Sequence, residues 1–158
     1  MIKNAWMSAN IGRMGQINWG RVIASAIVAG IFFFFLDGFI HGAVLGPEHM
    51  AAVTGAGKAV RHDPTAYVYF AAFDLGKGLV AMLLYVAARA RFGPGVKTAI
   101  WAGLVAWFAI EALPQIAQMP FPFYSKTFYW KWIALELVPM VIGAILGAWI
   151  YKEPTPVS

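Results

Sequence analysis

Residues 22–44 read VIASAIVAGIFFFFLDGFIHGAV, and this stretch decides the fold. Apart from Asp37, His41 and one serine, every residue in it is apolar or glycine. A helix needs roughly 20 such residues to cross a hydrocarbon layer of about 30 Å, whereas a strand of a membrane barrel needs about 10 in alternation. The stretch is long and continuous enough to predict a membrane-spanning helix.

Three further apolar stretches follow, separated by connections that contain glycine and proline. The predicted spans are residues 21–45, 67–88, 97–117 and 129–151. Within lipid a chain must satisfy its backbone hydrogen bonds internally, and runs of this length do so as helices. The predicted fold class is all-α, a membrane four-helix bundle. A repeated Ala-Gly-aliphatic sequence, at Gly30 in the first span and Gly103 in the third, is compatible with two tandem helical hairpins.

The composition supports a membrane protein and excludes several other classes. Hydrophobic residues make up 61% of the 158 residues and charged residues only 12%, whereas about a quarter of an average soluble domain is charged. The net charge of +5 comes from scattered basic residues, so no nucleic-acid partner is expected. The sequence has no cysteine, which excludes disulfides, thiol nucleophiles and cysteine-ligated metals within it.

Basic residues predict which side of the membrane each end of the bundle faces. Seven of them lie on the side of the termini and of the turn between the second and third spans, and four lie on the side of the two longer loops. Because Lys and Arg are enriched in cytoplasmic segments, we expect a protein integral to the bacterial cytoplasmic membrane with both termini in the cytoplasm. Residues 1–18 are expected to lie along the inner interface, residues 19–152 to form the bundle and residues 153–158 to be a short tail.

Aromatic residues are expected to mark the membrane interfaces. Trp132, with its neighbours at the start of the fourth span, belongs to the predicted outer belt. The stretch from Phe121 to Tyr124 is interpreted as an interfacial anchor, with a docking or ligand-capping loop as the alternative.

Each predicted span carries one carboxylate, and the four lie at a similar depth, nearer the outer face. A lysine and a histidine follow two of these acids by one helical turn. Together they form the candidate ligand or ion pocket: Asp37, His41, Asp74, Lys77, Glu111 and Glu136. Charges within a membrane are costly, so they normally face the bundle interior and have partners. Three interpretations stay open: interhelical hydrogen bonds that fix helix register, a pocket or path for a proton, cation or small amine, and a metal site.

A second polar group is predicted in the first outer loop. It consists of Glu48, His49, His62 and Asp63.

The four carboxylates of the spans, together with a histidine, match the ligand types of a di-metal bundle, but that site uses two Glu-x-x-His pairs. The only histidine inside a span, His41, follows an aspartate by four residues, so the identity of any metal stays unknown. His41 is expected to hydrogen-bond Asp37 rather than to ligate a pigment.

Three short pieces of sequence carry a family resemblance. They are the Ile17-Asn18-Trp19 entry to the first span, the Ala102-Gly103-Leu104 start of the third, and MVIGAILGAW at residues 140–149. In these pieces the chain resembles a group of small uncharacterised bacterial four-helix integral membrane proteins. The resemblance covers most of the four spans, and it implies a four-span architecture and no assigned activity.

No nucleophile elbow, phosphate-binding loop, zinc-protease helix or dinucleotide fingerprint is present in the sequence, so an enzyme is the class it supports least. The first hypothesis is a non-catalytic accessory subunit of a larger membrane assembly, which contacts membrane lipids and other membrane subunits or copies of itself and helps to hold a lipid, quinone or pigment. The alternative is a small carrier or sensor whose outward-facing acidic pocket binds a cation, proton or small amine. A di-metal membrane oxidase is the third hypothesis.

Overall fold

A computed structural model describes residues 17–58 and 63–152, and these residues are mostly helical. The helices are α1 (Trp19–Phe39), α2 (Gly46–Gly55), α3 (Thr65–Phe92), α4 (Val96–Trp107), α5 (Leu113–Gln118) and α6 (Lys126–Ile150). Two π-helical turns, Ile40–Val44 and Phe108–Ala112, continue α1 and join α4 to α5. Four segments, called spans 1 to 4 below, are long and apolar enough to cross a membrane: Trp19–Val44, Thr65–Phe92, Val96–Gln118 and Lys126–Ile150.

The prediction of an all-α bundle of four membrane-crossing helices is confirmed, with span boundaries shifted by a few residues. The first long connection differs from the prediction because it contains the helix α2, which begins at Gly46 with Pro47 in its first turn. Proline is well tolerated there, since the first N–H groups of a helix have no partner within it. Most of the predicted interfacial segment and the whole predicted tail lie outside the described residues.

Local side chains and glycines explain several helix ends. Asn18 Oδ1 and Ser125 Oγ each accept a hydrogen bond at 3.1 Å from the backbone N–H three residues further on, and so cap α1 and α6. The turn between spans 2 and 3 contains two glycines with positive φ, Gly93 at 80° and Gly95 at 129°. L side chains rarely adopt these angles, so glycine permits the sharp reversal of the chain here.

The two ends of the bundle are distinguished by the segments that meet there. At the terminal end, the Tyr85 hydroxyl accepts a hydrogen bond from the Gly95 N–H, and the Tyr85 ring packs edge-on against Tyr151 near the C-terminus. At the loop end, His49 of α2 packs against Phe128 at the start of span 4. Because each connection joins two spans at the same end of the bundle, consecutive spans are antiparallel. Span 1 packs mainly on span 2, and span 3 packs mainly on span 4.

Glycines allow the spans to approach each other closely. A Cβ atom on Gly30 would lie 2.7 Å from the Cα atom of Leu75, and one on Gly78 would overlap a backbone carbonyl of span 1. A Cβ atom on Gly103 would lie 2.8 Å from the backbone of span 4. Small residues at such crossings are typical of membrane helices. Because Asp74 precedes Leu75, the close approach at Gly30 brings this acid beside span 1.

Candidate functional site

Charged side chains from all four spans meet around one ammonium group. Lys77 Nζ of span 2 donates a hydrogen bond to Asp37 Oδ2 of span 1 and lies 2.8 Å from Glu111 Oε1 of span 3. The same nitrogen is 3.7 Å from Asp74 Oδ1 and 3.7 Å from Glu136 Oε2 of span 4. Each of the five residues is at most 8% exposed. They are called the carboxylate–lysine cluster below.

The cluster lies nearer the loop end than the terminal end. Asp37 and Glu111 each precede the last residue of their span by seven, and Asp74 and Glu136 follow the first residue of theirs by nine and ten. At a rise of 1.5 Å per helical residue, the cluster is about 10 to 15 Å from the loop ends of the spans. The four acids therefore share one level, within reach of side chains from the loops.

Two π-helical turns lie at the level of the cluster. The turn Ile40–Val44 begins three residues after Asp37, and the turn Phe108–Ala112 contains Glu111. A π turn adds a residue to the helix, so the side chains beyond it rotate by about 100° relative to an unbroken α-helix. Pro114 follows the second turn and cannot donate a backbone hydrogen bond, which favours a change of register just before it.

His41 extends the site from the cluster toward the loop end. Its Nε2 atom lies 3.1 Å from Glu136 Oε1, so the contact joins spans 1 and 4. The sequence spacing had predicted a hydrogen bond from His41 to Asp37, since residues four apart share a face of an α-helix. In the structure both ring nitrogens of His41 have other partners. The π turn that begins at Ile40 changes the register, and Lys77 engages Asp37 instead.

Hydrogen-bonding side chains continue in a row from His41 to the loop end. His41 Nδ1 lies 3.4 Å from His49 Nε2, and His49 Nδ1 lies 3.0 Å from the Tyr124 hydroxyl. Burial lowers the pKa of His49 below its ordinary value, and the neighbouring His41 lowers it further. His49 is therefore held neutral at physiological pH, with one ring nitrogen that donates and one that accepts.

Two tryptophans belong to the site. Trp132 donates a hydrogen bond from Nε1 to Glu111 Oε2 at 3.2 Å, and its ring meets His41 edge-on with 4.4 Å between ring centres. Trp107 donates to a backbone carbonyl of α6 at 2.8 Å. The sequence had assigned Trp132 only to the aromatic belt. The spacing between Trp132 and Glu136 could have predicted that Trp132 lies near the site, because residues four apart share a face of a helix.

The three described members of the predicted outer-loop group, Glu48, His49 and Asp63, have different surroundings. Glu48 pairs with a lysine of span 4 at 2.5 Å and lies next to His49 in α2. Asp63 lies two residues before span 2, where hydrogen bonds from the side chain and the backbone of Thr65 lower its pKa. His62 lies outside the described residues. Of the members that the structure describes, only His49 joins the row that leads to the cluster.

The cluster contains more acidic than basic groups. One ammonium group faces four carboxyl groups, so electroneutrality requires bound protons or a further cation. The Phe33 and Phe73 rings, 5.3 and 5.6 Å from Lys77 Nζ, add cation–π contacts to the same ammonium. Two buried oxygens, Asp37 Oδ1 and Asp74 Oδ1, have no hydrogen-bond donor in the part of the chain that the structure describes. A proton on either carboxyl group would supply one.

The spacing of three acids also resembles that of a cation site. Oxygens of Asp37, Glu111 and Glu136 lie within 4.8 Å of one another. The Lys77 ammonium contacts oxygens of the same three side chains, and it is therefore the cation of this cluster. The histidine that approaches, His41, follows an aspartate by four residues and does not make a Glu-x-x-His pair. We assign no metal ligands among these residues.

An open groove of about 500 Å³ lies at the loop end. Its lining consists of Glu48, Ala51, Ala52, Pro122, Phe123, Tyr124, Ser125 and Phe128. Tyr124 thus lies between the groove and His49, which gives the row of side chains an end near solvent. The stretch interpreted from sequence as an interfacial anchor forms one wall of this groove.

The site therefore has three connected parts: the buried carboxylate–lysine cluster, the row from His41 to Tyr124, and the open groove. Imidazole, phenol and carboxyl groups are all able to accept and release protons. We found no family model, curated protein or solved structure that matches the chain.

Proposed function

We propose that this chain is a small proton-binding membrane protein, a carrier or sensor that takes up and releases protons at the carboxylate–lysine cluster. The observation that supports the proposal is the contact of one buried ammonium with four buried carboxyl groups, one from each span. Protonation of any of these carboxyl groups weakens its attraction to Lys77, which contacts all four spans. Proton binding would therefore alter the packing of the whole bundle.

A proton suits this cluster better than a metal ion or a small amine. Lys77 Nζ occupies the position between the carboxylates that such a cation would need. A proton requires no cavity, and on a carboxyl group it would supply a donor for the buried oxygens Asp37 Oδ1 and Asp74 Oδ1. The di-metal oxidase stays a prediction, and elemental analysis of the purified protein tests it.

The proposal includes the orientation that the basic residues predict. Four helices of membrane-crossing length support an integral membrane protein. With both termini in the cytoplasm of a bacterial cell, the loop end would face the outside, and the cluster would lie in the outer half of the membrane. Protons would then enter from the outer side, through the groove beside Tyr124.

Infrared spectroscopy tests the proposal because the C=O stretching band of a protonated carboxyl group is separate from the bands of a carboxylate. At neutral pH exposed acids are ionised. The folded wild type is therefore expected to show the band of at least one protonated carboxyl group per chain. The double variant Asp74→Asn/Glu136→Gln is expected to lose most of this band, because both changes remove buried carboxyl groups while preserving shape.

Glu48→Gln provides the control for this experiment. Glu48 is partly exposed and outside the cluster, so its replacement is expected to leave the band unchanged. Circular dichroism and gel filtration show whether each variant remains folded. A folded wild type without the band, or a folded double variant with the full band, would contradict the proposed function.

An accessory subunit is a second candidate function, and the loop end of α3 favours it. Tyr67, Val68, Tyr69 and Phe70 follow one another, so their side chains point to all sides of the helix, and each is more than half exposed. This end of span 2 extends away from the other spans and leaves room for lipid, a second copy or another subunit.

If the chain is such a subunit, its mass in mild detergent is expected to exceed that of one chain. A monomer without a co-purifying polypeptide would count against this candidate. The role of such a subunit in holding a lipid, quinone or pigment stays a prediction.

A further inference from the structure

We infer that Tyr124, His49 and His41 form a relay that conducts protons between the loop end of the bundle and Glu136. The inference rests on the proposed function, and it adds the route by which protons reach the cluster. The three side chains come from the span 3–4 connection, from α2 and from the π turn of span 1. They meet in a single row although they are far apart in the sequence.

Each step of the row pairs a donor with an acceptor when both imidazoles are neutral. The Tyr124 hydroxyl donates to His49 Nδ1 at 3.0 Å. The Nε2–H group of His49 donates to His41 Nδ1 at 3.4 Å. The Nε2 atom of His41 lies 3.1 Å from Glu136 Oε1, so this carboxylate is the acceptor at the end of the row. With these tautomers all three donors point toward the cluster.

The relay transfers one proton without leaving a charge on either imidazole. The Tyr124 oxygen takes up a proton from solution as its own hydroxyl proton passes to His49 Nδ1, and the Nε2 proton of His49 passes to His41 Nδ1. His41 then releases its own Nε2 proton to Glu136 Oε1. Solution loses one proton, Glu136 gains one, and both imidazoles end as the opposite neutral tautomer. Each ring returns to its first tautomer when it releases the Nδ1 proton and takes up a proton on Nε2.

Aromatic rings enclose the two imidazoles. Trp132 meets His41 and His49 edge-on, with ring centres 4.4 and 5.6 Å apart, and Phe128 meets His49 at 4.9 Å. These contacts restrict the orientation of both rings. The opposite end of the row is open, because Tyr124 and Phe128 line the groove at the loop end.

Titratable and charged groups surround the row of side chains. At the outer end the titratable groups are Tyr124 of the span 3–4 connection, Glu48 of α2 and Lys131 of span 4. At the inner end His41 faces Glu136 of span 4, and behind it lie the other cluster residues, Asp37, Asp74, Lys77 and Glu111. Glu48 and Lys131 form a pair at the outer end. Because the pKa of His49 is lowered by burial, this imidazole passes a proton on rather than storing it.

Stopped-flow pH jumps on the purified full chain in detergent test the relay, with Trp fluorescence and a pH-indicator dye as readouts. His49→Phe preserves an aromatic ring but removes both nitrogens. We expect proton uptake in this variant to be roughly 10- to 100-fold slower, because proton transfer through a positioned side chain is lost. Tyr124→Phe, which removes only one hydroxyl oxygen, is expected to slow uptake several-fold. The number of protons bound at equilibrium should match wild type in both.

Chemical rescue separates the relay from a structural role. Free imidazole in the buffer is expected to restore the rate of a His49→Ala variant, where it can enter the vacated space, but not of His49→Phe. Met50→Leu changes an exposed neighbour in α2 and should leave the rate unchanged. Wild-type rates in both His49→Phe and Tyr124→Phe, or a lower number of bound protons in His49→Phe, would overturn the relay. No proton uptake by wild type would instead overturn the proposed function.

Discussion

Replacement of Lys77 with methionine is expected to lower the free energy of unfolding by about 3 to 5 kcal/mol, because it leaves buried acids without their cation. Lys77 is 2% exposed and contacts carboxylates of all four spans. Methionine preserves a long unbranched side chain, so the change removes the charge and little of the packing. Reversible unfolding in mixed detergent micelles, followed by circular dichroism, measures the effect.

Lys131→Met is the matched control for this prediction. Lys131 also forms an ion pair with a glutamate, at 2.5 Å from Glu48 Oε1, but the Lys131 side chain is 51% exposed. Solvent screens such a pair, and its loss is expected to cost about 1 kcal/mol or less. Equal destabilisation by Lys77→Met and Lys131→Met would contradict the buried ionic role assigned to Lys77.

The architecture could be predicted because span length and apolar continuity are properties of the sequence alone. An apolar stretch as long as residues 22–44 is typical of a membrane span and not of a helix in a soluble protein. Gly93 and the glycine two residues later predict a turn without any knowledge of how the helices pack. The common level of the acids was also predictable. In a bundle of antiparallel spans, the position of Asp37 or Asp74 along its own span sets its depth.

The partners within the site could not be predicted from spacing, because they depend on helix register and on contacts between spans. His41 and Asp37 are four residues apart, yet the π turn after Phe39 directs His41 to Glu136. No simple residue pattern predicts a π turn, and one extra residue rotates everything beyond it. The pairing of Lys77 with Asp37 likewise depends on how spans 1 and 2 cross.

The connections held the other unpredicted part of the site. The first long loop contains α2, a short helix whose mixed composition gives little periodic signal, and this helix places His49 above His41. Tyr124 lies in a proline- and aromatic-rich connection that suggested only a membrane anchor. The roles of His49 and Tyr124 could not be predicted from the sequence, because both residues connect to the cluster through contacts between segments that are distant in the chain.

The double variant Lys77→Met/Glu111→Gln is expected to be more stable than Lys77→Met alone, by about 1 to 3 kcal/mol. Glu111 Oε1 is 2.8 Å from Lys77 Nζ, so it is among the carboxylates most affected when the ammonium is lost. Glutamine removes the negative charge and preserves an oxygen that can accept the Trp132 Nε1 hydrogen bond now made to Glu111 Oε2. The same unfolding measurement reports both variants.

Whether Glu111→Gln raises or lowers the free energy of unfolding shows how Glu111 interacts with Lys77. In the wild-type background this change removes a partner of Lys77 and is expected to destabilise the protein, whereas in the Lys77→Met background it relieves repulsion among the remaining acids. Glu48→Gln in the Lys77→Met background is the control and should be additive within about 0.5 kcal/mol, because Glu48 shares no contact with the cluster. If Glu111→Gln destabilised both backgrounds equally, Lys77 would not be the cation that holds these carboxylates together.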